Sequence, residues 1–447
     1  MLQKTLCLLT ALLLLAGNVF SVEPTSNTTA GFDAPAESAD DAVYQMLTLR
    51  DAVEIALTDN QRLAELRFLA EALGAVPLQA GALPDPALGL NALNFPTDTF
   101  DRDQEPMTQL QVTLSQTFPF PGKRGLKREA AQYEAAAAMA QVLDTQLQIA
   151  ADVRSIWWEL LYLDRALLIV DQNRSLMRDF VEIAQIKYKV GSGLQQDVLL
   201  AQLELSRLVN RELPLQGMRS ASEAALNALL NLPATQAIRL PQEPQNETLP
   251  ELPGKAQLLQ TALETRPLLD VQREMTEAAR IRLDLAKKDY YPDFKLGAGY
   301  GFRDGDDPVR GERADFASIM FSVNVPIYFK SKQGKAVDQR SSEYFRRKHA
   351  FNETLRSVQS AISRNLAQYQ ASRGQVALYG TAIIPQAQQT VSAMLSAYQV
   401  NEVDFLNVLN AQITLYNAQI SYWEAMSKAR QSLAKLAASV GSEKLYE

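Results

Sequence analysis

The sequence predicts an α+β membrane protein in which long helices carry two pairs of β-strands, and three observations lead to that fold class. The first is an internal two-fold repeat, because two halves of the chain contain matching motifs in the same order. The second is a stretch of about 67 residues, 124–190, that contains no proline. The third is alternation of apolar and polar residues in short segments, which is typical of β-strands.

The repeat has a spacing of 207 residues between Pro119 and Pro326. The motifs of the first half are LPDPALGL (83–90), LSQTFPF (114–120) and YKVGSGLQQDVLLAQ (188–202). Their counterparts in the second half are YYPDFKLGAGY (290–300), FSVNVPI (321–327) and YQVNEVDFLNVLNAQ (398–412). Each half is therefore expected to form one structural unit, whose long elements lie beside those of the other unit to bury their apolar residues.

The N-terminal residues read as an export signal. Residues 1–21 predict a signal peptide, with Lys4 ahead of an apolar run over 6–16 and small residues before a cleavage point. Residues 22–46 are small, acidic and polar, which predicts a flexible leader. Cys7, the one cysteine, lies inside the apolar run, so the mature chain is expected to contain neither a disulfide nor a thiolate metal site.

Composition argues against several classes of function. The 447-residue chain has 44 basic and 51 acidic residues, a net charge of −7, which does not favour a nucleic-acid partner. His349 is the one histidine and follows three basic residues, so we expect it on a solvated surface. Hydrolytic triads and metal sites of nitrogen or sulfur ligands are therefore not expected, and no glycine-rich phosphate loop is present. The sequence predicts no enzyme, no cofactor and no bound metal.

The first repeat is predicted over 47–232. It contains a helix over about 49–79, a β-hairpin over 86–119, a long helix over 124–190 and a return helix over 195–230. At 1.5 Å per residue the long helix would measure about 100 Å. Its apolar residues recur in a seven-residue register that is typical of a coiled coil and is broken by Arg154, at Leu126, Tyr133, Ala140, Leu147, Leu161 and Leu168.

The second repeat is predicted over 256–440, with a β-hairpin over 293–328, a long helix over 332–399 and a return helix over 403–439. Pro385 should kink or interrupt the long helix. The seven-residue register is again present, at Leu355, Ile362, Tyr369, Val376 and Ile383. Between the repeats, 233–255 contains five prolines and predicts a non-helical linker or girdle, and 441–447 forms a C-terminal tail.

The predicted strands have one apolar face, one polar or small face, and aromatic residues near their ends. These features suit the wall of an outer-membrane β-barrel. The residues expected to face lipid are Leu110, Val112, Leu114, Leu296, Tyr300, Ile319, Phe321 and Val323. Two hairpins that cap a soluble helical bundle are the alternative.

Four strands are too few to close a barrel with a lumen, since the smallest membrane barrels have eight. An open sheet edge in lipid would leave backbone groups unpaired. The barrel must therefore be shared between subunits, and counting alone permits eight, twelve or sixteen strands.

At this point the chain resembles a known family, the TolC-type outer-membrane efflux channels. The motifs that carry the resemblance are LTLRDAVEIAL (47–57), LSQTFPFPGKR (114–124) and the two motifs over 188–202 and 398–412, so it covers essentially the whole mature chain. It implies a homotrimer in the Gram-negative outer membrane with a twelve-stranded β-barrel. Below the barrel it implies an α-helical coiled-coil barrel, a tunnel through the periplasm.

The resemblance also implies partners, a periplasmic adaptor (membrane fusion protein) and an inner-membrane RND-type transporter. The FPFPGKR segment resembles the heavy-metal branch of the family, which is CusC-like or CzcC-like. Two positions depart from the family pattern. Asn401 stands where members often carry Gly, and Cys7 is not placed for the lipid attachment found in many metal-branch relatives.

Two sets of residues at the helical reversals are candidate sites. Six reversals in a trimer would form a ring at the periplasmic tip for adaptor docking. The docking candidates are Tyr188, Val190, Gly191, Gly193, Leu194, Tyr398, Val400, Asn401, Val403 and Phe405. Asp197, Glu402 and Asp404 would gather as an acidic ring that gates the channel in favour of cations. Alternatively, Asp197 and Asp404 simply cap the return helices.

The function that these observations predict is a passive exit duct of a tripartite efflux pump. Two alternatives stay open: the exit duct of a type I protein-secretion system, and a periplasmic coiled-coil scaffold without a pore.

Overall fold

The computed structural model describes residues 46–241, 248–307, 309–400 and 402–446. The expected signal peptide, all but the last residue of the expected leader, and Asn401 lie outside these residues. The first half consists of α1 (Leu49–Asp59), α2 (Gln61–Gly81), β1 (Ala87–Leu93), β2 (Gln109–Phe118), α3 (Lys123–Lys189) and α4 (Gln195–Leu229). In the described part of the chain, no helix combines the length and apolar character that crossing a membrane requires.

The second half has the same order of main elements. It consists of α5 (Lys255–Thr265), α6 (Pro267–Lys288), β3 (Phe294–Phe302), β4 (Asp306–Asp307), β5 (Gly311–Glu312), β6 (Phe316–Val323), α7 (Gln333–Leu378), α8 (Ile384–Gln399) and α9 (Phe405–Val440). A π-helical turn, Tyr379–Ile383, joins α7 to α8, and a short 3₁₀ helix, Glu443–Leu445, follows α9.

The helix predicted over 49–79 is interrupted at Asn60. The backbone of Asn60 is extended, with φ −66° and ψ 121°, and its side chain accepts a hydrogen bond from the Leu63 N–H at 3.2 Å. Its Nδ2 also donates to the carbonyl of Leu229 at 3.0 Å. Asn60 therefore ends α1, caps α2 and ties both to the end of α4, which is a constraint from outside the segment.

The long helix α3 has 67 residues, or about 100 Å. It packs against α1, α2, α4, α6 and α9, so different faces are buried along its length. Trp157 and Trp158 lie in its most enclosed part, at 2% and 3% exposure. The seven-residue register, broken at Arg154, does not mark one continuous buried face, because Leu168 beyond the break is 46% exposed. A coiled-coil seam needs one partner along the whole helix, and α3 changes partners.

Pro385 interrupts the second long helix in the way that its chemistry predicts. Proline lacks an N–H and clashes with the carbonyl four residues earlier, and the wider π-helical turn Tyr379–Ile383 directly precedes it. On the N-terminal side of the interruption, Ile362 and Tyr369 of the predicted register are buried, at 0% and 1% exposure. The Tyr369 hydroxyl donates to the carbonyl of Pro250 at 2.5 Å, which fastens the proline-rich segment to α7.

The main strands of the two halves form one antiparallel sheet in the order β1-β2-β3-β6. Strands β2 and β3 pair at its centre, with Leu114 opposite Ala298, and β6 continues that row with Ile319. The two hairpins therefore join edge to edge, while β1 and β6 are the outer strands. A separate two-stranded ribbon, β4-β5, lies in the connection between β3 and β6.

A buried lysine connects the sheet to the helices. Lys123 begins α3, and its Nζ lies 2.9 Å from Asp293 Oδ1, 3.0 Å from the Tyr291 carbonyl and 3.3 Å from Asp289 Oδ1. The Phe120 N–H donates to the same Asp293 oxygen at 2.8 Å. Burial alone would raise the pKa of Asp293, but the hydrogen bonds from Lys123 and from the Phe120 N–H hold it below its usual value. The link joins the β2–α3 connection to the α6–β3 connection.

Replacing this lysine should destabilise the whole protein. Lys123→Met keeps the apolar stem of the side chain but removes the buried cation, so the free energy of unfolding should fall. The expected loss is about 2–3 kcal/mol, since water partly solvates the two carboxylates, Asp289 and Asp293, that remain. Guanidinium unfolding of the detergent-solubilised protein, followed by circular dichroism, measures the change. Lys335→Met, which removes an exposed ion pair with Asp338, serves as the control and should change little. Equal midpoints for both variants would contradict a special role for Lys123.

The pH dependence is a second readout of the same link. The pKa of Asp293 is lower in the folded protein than in the unfolded chain, where it is about 3.9. The ionised carboxylate therefore stabilises the folded protein above this unfolded pKa, and the stabilisation is lost as the pH falls through the folded pKa. The stability difference between the wild type and Lys123→Met should therefore shrink below about pH 4.

Candidate channel wall and periplasmic tip

One face of the sheet is almost entirely apolar. The strand register places all eight predicted lipid-facing residues on that face, in cross-strand rows such as Val112–Tyr300 and Leu296–Phe321. Ile319 is 89% exposed and Phe321 63% exposed, and the rings of Phe294 and Phe321 stack at 6.2 Å. An exposed apolar face of this extent marks a contact with lipid or with another protein.

The opposite face is mainly polar, and it is flat because the glycines of β3 leave room for glutamine side chains to lie across the strand. Gln111 Nε2 donates to Ser318 Oγ on β6 at 2.9 Å, and it reaches that partner by lying across Gly299. A Cβ at Gly301 would lie 1.8 Å from Gln109 Oε1. Side chains at these two positions would push the glutamine amides away from the sheet.

Among the described strand residues of the four-stranded sheet, Lys295 is the one charged side chain on this polar face. The sheet therefore separates an apolar surface from a nearly neutral face of amides, hydroxyls and glycines, which also carries Leu93, Phe316 and Met320. The alternation is visible in the sequence, whereas the role of the glycines was not predicted. The available signal was their recurrence at every second residue, Gly297, Gly299 and Gly301.

The two helical reversals, α3–α4 and α8–α9, pack against each other through aromatic and cationic side chains. Lys187 Nζ lies 3.9 Å from the centroid of the Tyr398 ring and 3.3 Å from the Tyr398 carbonyl oxygen. The Phe405 ring contacts both Tyr398 and Phe180, with centroid separations of 5.6 and 5.9 Å. We call this region the tip, defined as residues 187–197, 398–400 and 402–405.

The docking candidates divide into exposed and buried groups. Tyr188, Val190, Leu194 and Val400 are exposed, with Val190 at 71% and Val400 at 66%, and Gly191 is also exposed. Gly193 and Val403 are partly buried.

Two other docking candidates are not on the surface, which corrects the expectation for them. Tyr398 and Phe405 are 9% and 2% exposed, so they hold the tip together instead of presenting a contact surface. The signal for this was the apolar spacing of Phe405 with Val408 and Leu409, which places Phe405 on the buried face of α9.

The first reversal depends on glycine geometry. Gly191 has φ +75°, and the Ser192 N–H donates to the Lys187 carbonyl at 2.9 Å while the Gly191 N–H donates to Tyr188. This pair of hydrogen bonds is a Schellman motif, which favours glycine at the left-handed position. A Cβ at Gly193 would lie 2.9 Å from Lys187 Cβ. The motif YKVGSG thus specifies the turn itself.

The three gate candidates lie at the starts of the return helices. Asp404 is the N-cap of α9, yet its side chain makes no capping hydrogen bond. The N-cap of α4 is Leu194, and Asp197 lies in the first helical turn. Capping hydrogen bonds therefore do not account for these two carboxylates. Asp404 and Glu402 are exposed.

Asp197 is electrostatically linked to the second reversal. Burial raises the pKa of Tyr398, and the negative charge of Asp197 raises it further. The fold therefore brings Asp197 close to Tyr398, next to the reversal that carries Glu402 and Asp404.

Two buried polar hydrogen bonds that the sequence did not predict join the helices next to the tip. The Tyr416 hydroxyl donates to Glu204 Oε1 at 2.7 Å, and Gln412 Nε2 donates to Asn173 Oδ1 at 2.7 Å. Burial, followed by the hydrogen bond to Glu204, raises the pKa of Tyr416 to about 12. These bonds fix α3, α4 and α9 in register. The sequence feature that could have indicated these bonds is the four-residue spacing of two polar residues on α9, Gln412 and Tyr416.

Among the residues that the structure describes, no three His, Cys, Asp or Glu side chains are grouped so that they could hold a metal ion.

Comparisons with known proteins agree with this architecture. The chain matches the family described as Outer membrane efflux protein over residues 41–232 and 258–442. It is 22% identical over 393 residues to the cobalt-zinc-cadmium resistance protein CzcC of Cupriavidus metallidurans, covering 86% of this chain and 88% of CzcC.

Two crystal structures share the fold. The outer membrane protein VceC of Vibrio cholerae has a TM-score of 0.74 and 22% identity, over 90% of this chain and 98% of VceC. CusC has a TM-score of 0.74 and 15% identity, over 89% of this chain and 93% of CusC. The chain therefore belongs to the family of outer membrane efflux proteins, which lie in the Gram-negative outer membrane and extend into the periplasm.

Proposed function

We propose that this chain is the exit duct of a tripartite efflux pump and passively conducts substrates from the periplasm to the exterior. The observation that carries the proposal is the two-faced sheet, with Ile319 and Phe321 exposed on its apolar side and glutamines lying flat on its polar side. A lipid-facing surface backed by a wettable, nearly neutral wall suits a conducting barrel. The duct needs no catalytic group, since the inner-membrane partner supplies the energy.

The proposed assembly is a homotrimer with a twelve-stranded barrel. One chain supplies four strands and leaves β1 and β6 as edges. Unpaired backbone groups in lipid are unfavourable by several kcal/mol each, so the edges should pair between copies. Three copies would close a barrel of twelve strands, the number that the resemblance to TolC-type channels implies.

The tip is proposed to dock a periplasmic adaptor, which in turn connects to an RND-type transporter. Its exposed apolar side chains, Val190, Leu194 and Val400, offer a contact surface that the chain itself leaves uncovered. A trimer would present six reversals in a ring. Capture of the native complex would identify the pump, since an ABC exporter would indicate protein secretion instead.

Divalent metal ions are the proposed substrate class. CzcC is named for resistance to cobalt, zinc and cadmium, and it aligns with most of this chain. The carboxylates of Asp197, Glu402 and Asp404 would give the tip an acidic ring, which attracts cations and repels anions.

Arginine substitutions on neighbouring residues of β6 test the barrel. Phe321→Arg should destabilise the assembled trimer by about 2–4 kcal/mol if the site lies near the membrane midplane. Ser322→Arg, on the polar face, should leave assembly intact and alter single-channel conductance. Gel electrophoresis of unheated trimers and planar-bilayer recording measure the two effects. Intact assembly in both variants, or no conductance from the wild type, would contradict the duct.

A substitution at Gly191 tests docking. Leucine is strained at φ +75°, so Gly191→Leu should distort the exposed turn while the trimer still assembles in the membrane, and efflux should be lost. Gly191→Asn tolerates the left-handed conformation and should keep most efflux. Gly217→Leu on an exposed face of α4, where a Cβ meets nothing within 4 Å, is the matched control. Resistance assays in a stably expressing host give the readout, and normal efflux in Gly191→Leu would rule out docking through this turn.

Neutralising Asp404 tests the acidic ring. Asp404→Asn keeps the size and capping ability of the side chain but removes its charge, so cation selectivity and block by trivalent cations should both weaken. Reversal potentials in planar bilayers under a salt gradient measure the selectivity. Asp171→Asn, which lies on α3 away from the tip, is the control. Unchanged selectivity and block with an intact trimer would show that Asp404 has no gating role.

A further inference from the structure

The chain that leaves β6 and enters the first turn of α7, residues 325–335, exposes a row of apolar side chains outside the sheet. We call it the post-strand segment. Val325 and Tyr328 are each 70% exposed, Ile327 is 66% exposed and Phe329 is 46% exposed. The segment is nevertheless a compact turn, because the Lys332 N–H donates to the Tyr328 carbonyl at 2.9 Å and the Gly334 N–H to Phe329 at 2.7 Å. Its apolar side chains are thus held in position with little to pack against.

Lysines are interleaved with these apolar side chains. Lys330, Lys332 and Lys335 are all exposed. Within the described residues, the side chains of Lys330 and Lys332 make no ion pair or hydrogen bond, and Lys335 pairs with Asp338 on the surface at 2.9 Å. The segment is therefore both apolar and cationic on its outer side.

The equivalent connection in the first half is used differently. Between β2 and α3, the Phe120 ring stacks on Tyr291 at 4.6 Å, and Lys123 is buried against Asp293. The apolar and cationic groups of that connection are satisfied inside the chain. The second connection has the same kinds of residues but leaves them uncovered, so its partner lies outside the chain.

We propose that the post-strand segment binds anionic phospholipid headgroups at the periplasmic surface of the outer membrane. The inference rests on the proposed function, which places the periplasmic end of β6 at that surface. Tyrosine and aliphatic side chains suit the boundary between headgroups and acyl chains, and Lys330 and Lys332 lie within reach of lipid phosphates. Charge complementarity favours an acidic phospholipid over a zwitterionic one.

Native mass spectrometry of the detergent-solubilised full-length protein, titrated with phosphatidylglycerol or phosphatidylcholine, tests the proposal. The wild type should bind phosphatidylglycerol more tightly. A lysine near an anionic surface contributes about fivefold, so the double variant Lys330→Gln/Lys332→Gln should bind phosphatidylglycerol about 25-fold more weakly. Its affinity for phosphatidylcholine should stay unchanged. The control Arg356→Gln/Arg364→Gln removes the same charge from exposed positions further along α7 and should keep the wild-type preference.

Three outcomes would overturn the lipid site. The double variant could keep the preference for phosphatidylglycerol, or the control could lose it equally. The double variant could also dissociate the oligomer while lipid preference stays, which would mean that a second copy covers the segment. Bilayer conductance of the same preparations separates this proposal from the duct, because the lysine double variant and the arginine double variant should both conduct like the wild type. A wild type that prefers the anionic lipid but does not conduct would contradict the duct alone.

Discussion

The contact of Lys123 with Asp293 is the interaction on which the arrangement of sheet and helices depends. One cation, almost fully buried, is shared by Asp289, Asp293 and the Tyr291 carbonyl. It lies where β2 ends and the 67-residue helix α3 begins, and its partners lie where α6 ends and β3 begins. Since β2 and β3 are hydrogen-bonded neighbours, this one cluster sets how the strands of both halves continue into their helices.

With the sheet fixed in that way, the pairing of β2 with β3 gives the protein its two surfaces. Apolar rows from all four strands fall on one face because every register is antiparallel and in phase. On the other face the glycines of β3 let Gln109 and Gln111 lie flat. In the proposed barrel, larger side chains at these positions would narrow the lumen, because a Cβ at Gly299 or Gly301 would meet the glutamine side chains.

At the opposite end of the helices, some residues of the tip are buried and stabilise it, while others close to them in sequence are exposed. Phe405 and Tyr398 bury their rings between the two reversals, while Val400 and Val190 stay exposed. Above them, Tyr416 and Glu204 fix the helices in register through a buried hydrogen bond. The buried contacts therefore hold the exposed apolar side chains Val190 and Val400 in fixed positions, which suits the proposed docking surface.

The sequence by itself determined the elements whose signals are local. The absence of proline and the helical pattern placed the long helix at 124–190, against the observed Lys123–Lys189, and Pro385 marked the interruption. Alternation identified the eight residues that share the apolar face. Only the tertiary structure decided the break at Asn60, the exposure of Leu168, and the burial of Tyr398 and Phe405. The reason is physical: the break at Asn60 depends on Leu229, 169 residues away, and the burial of Phe405 depends on Phe180 on the distant helix α3. A local pattern contains no information about which distant helix covers a given face.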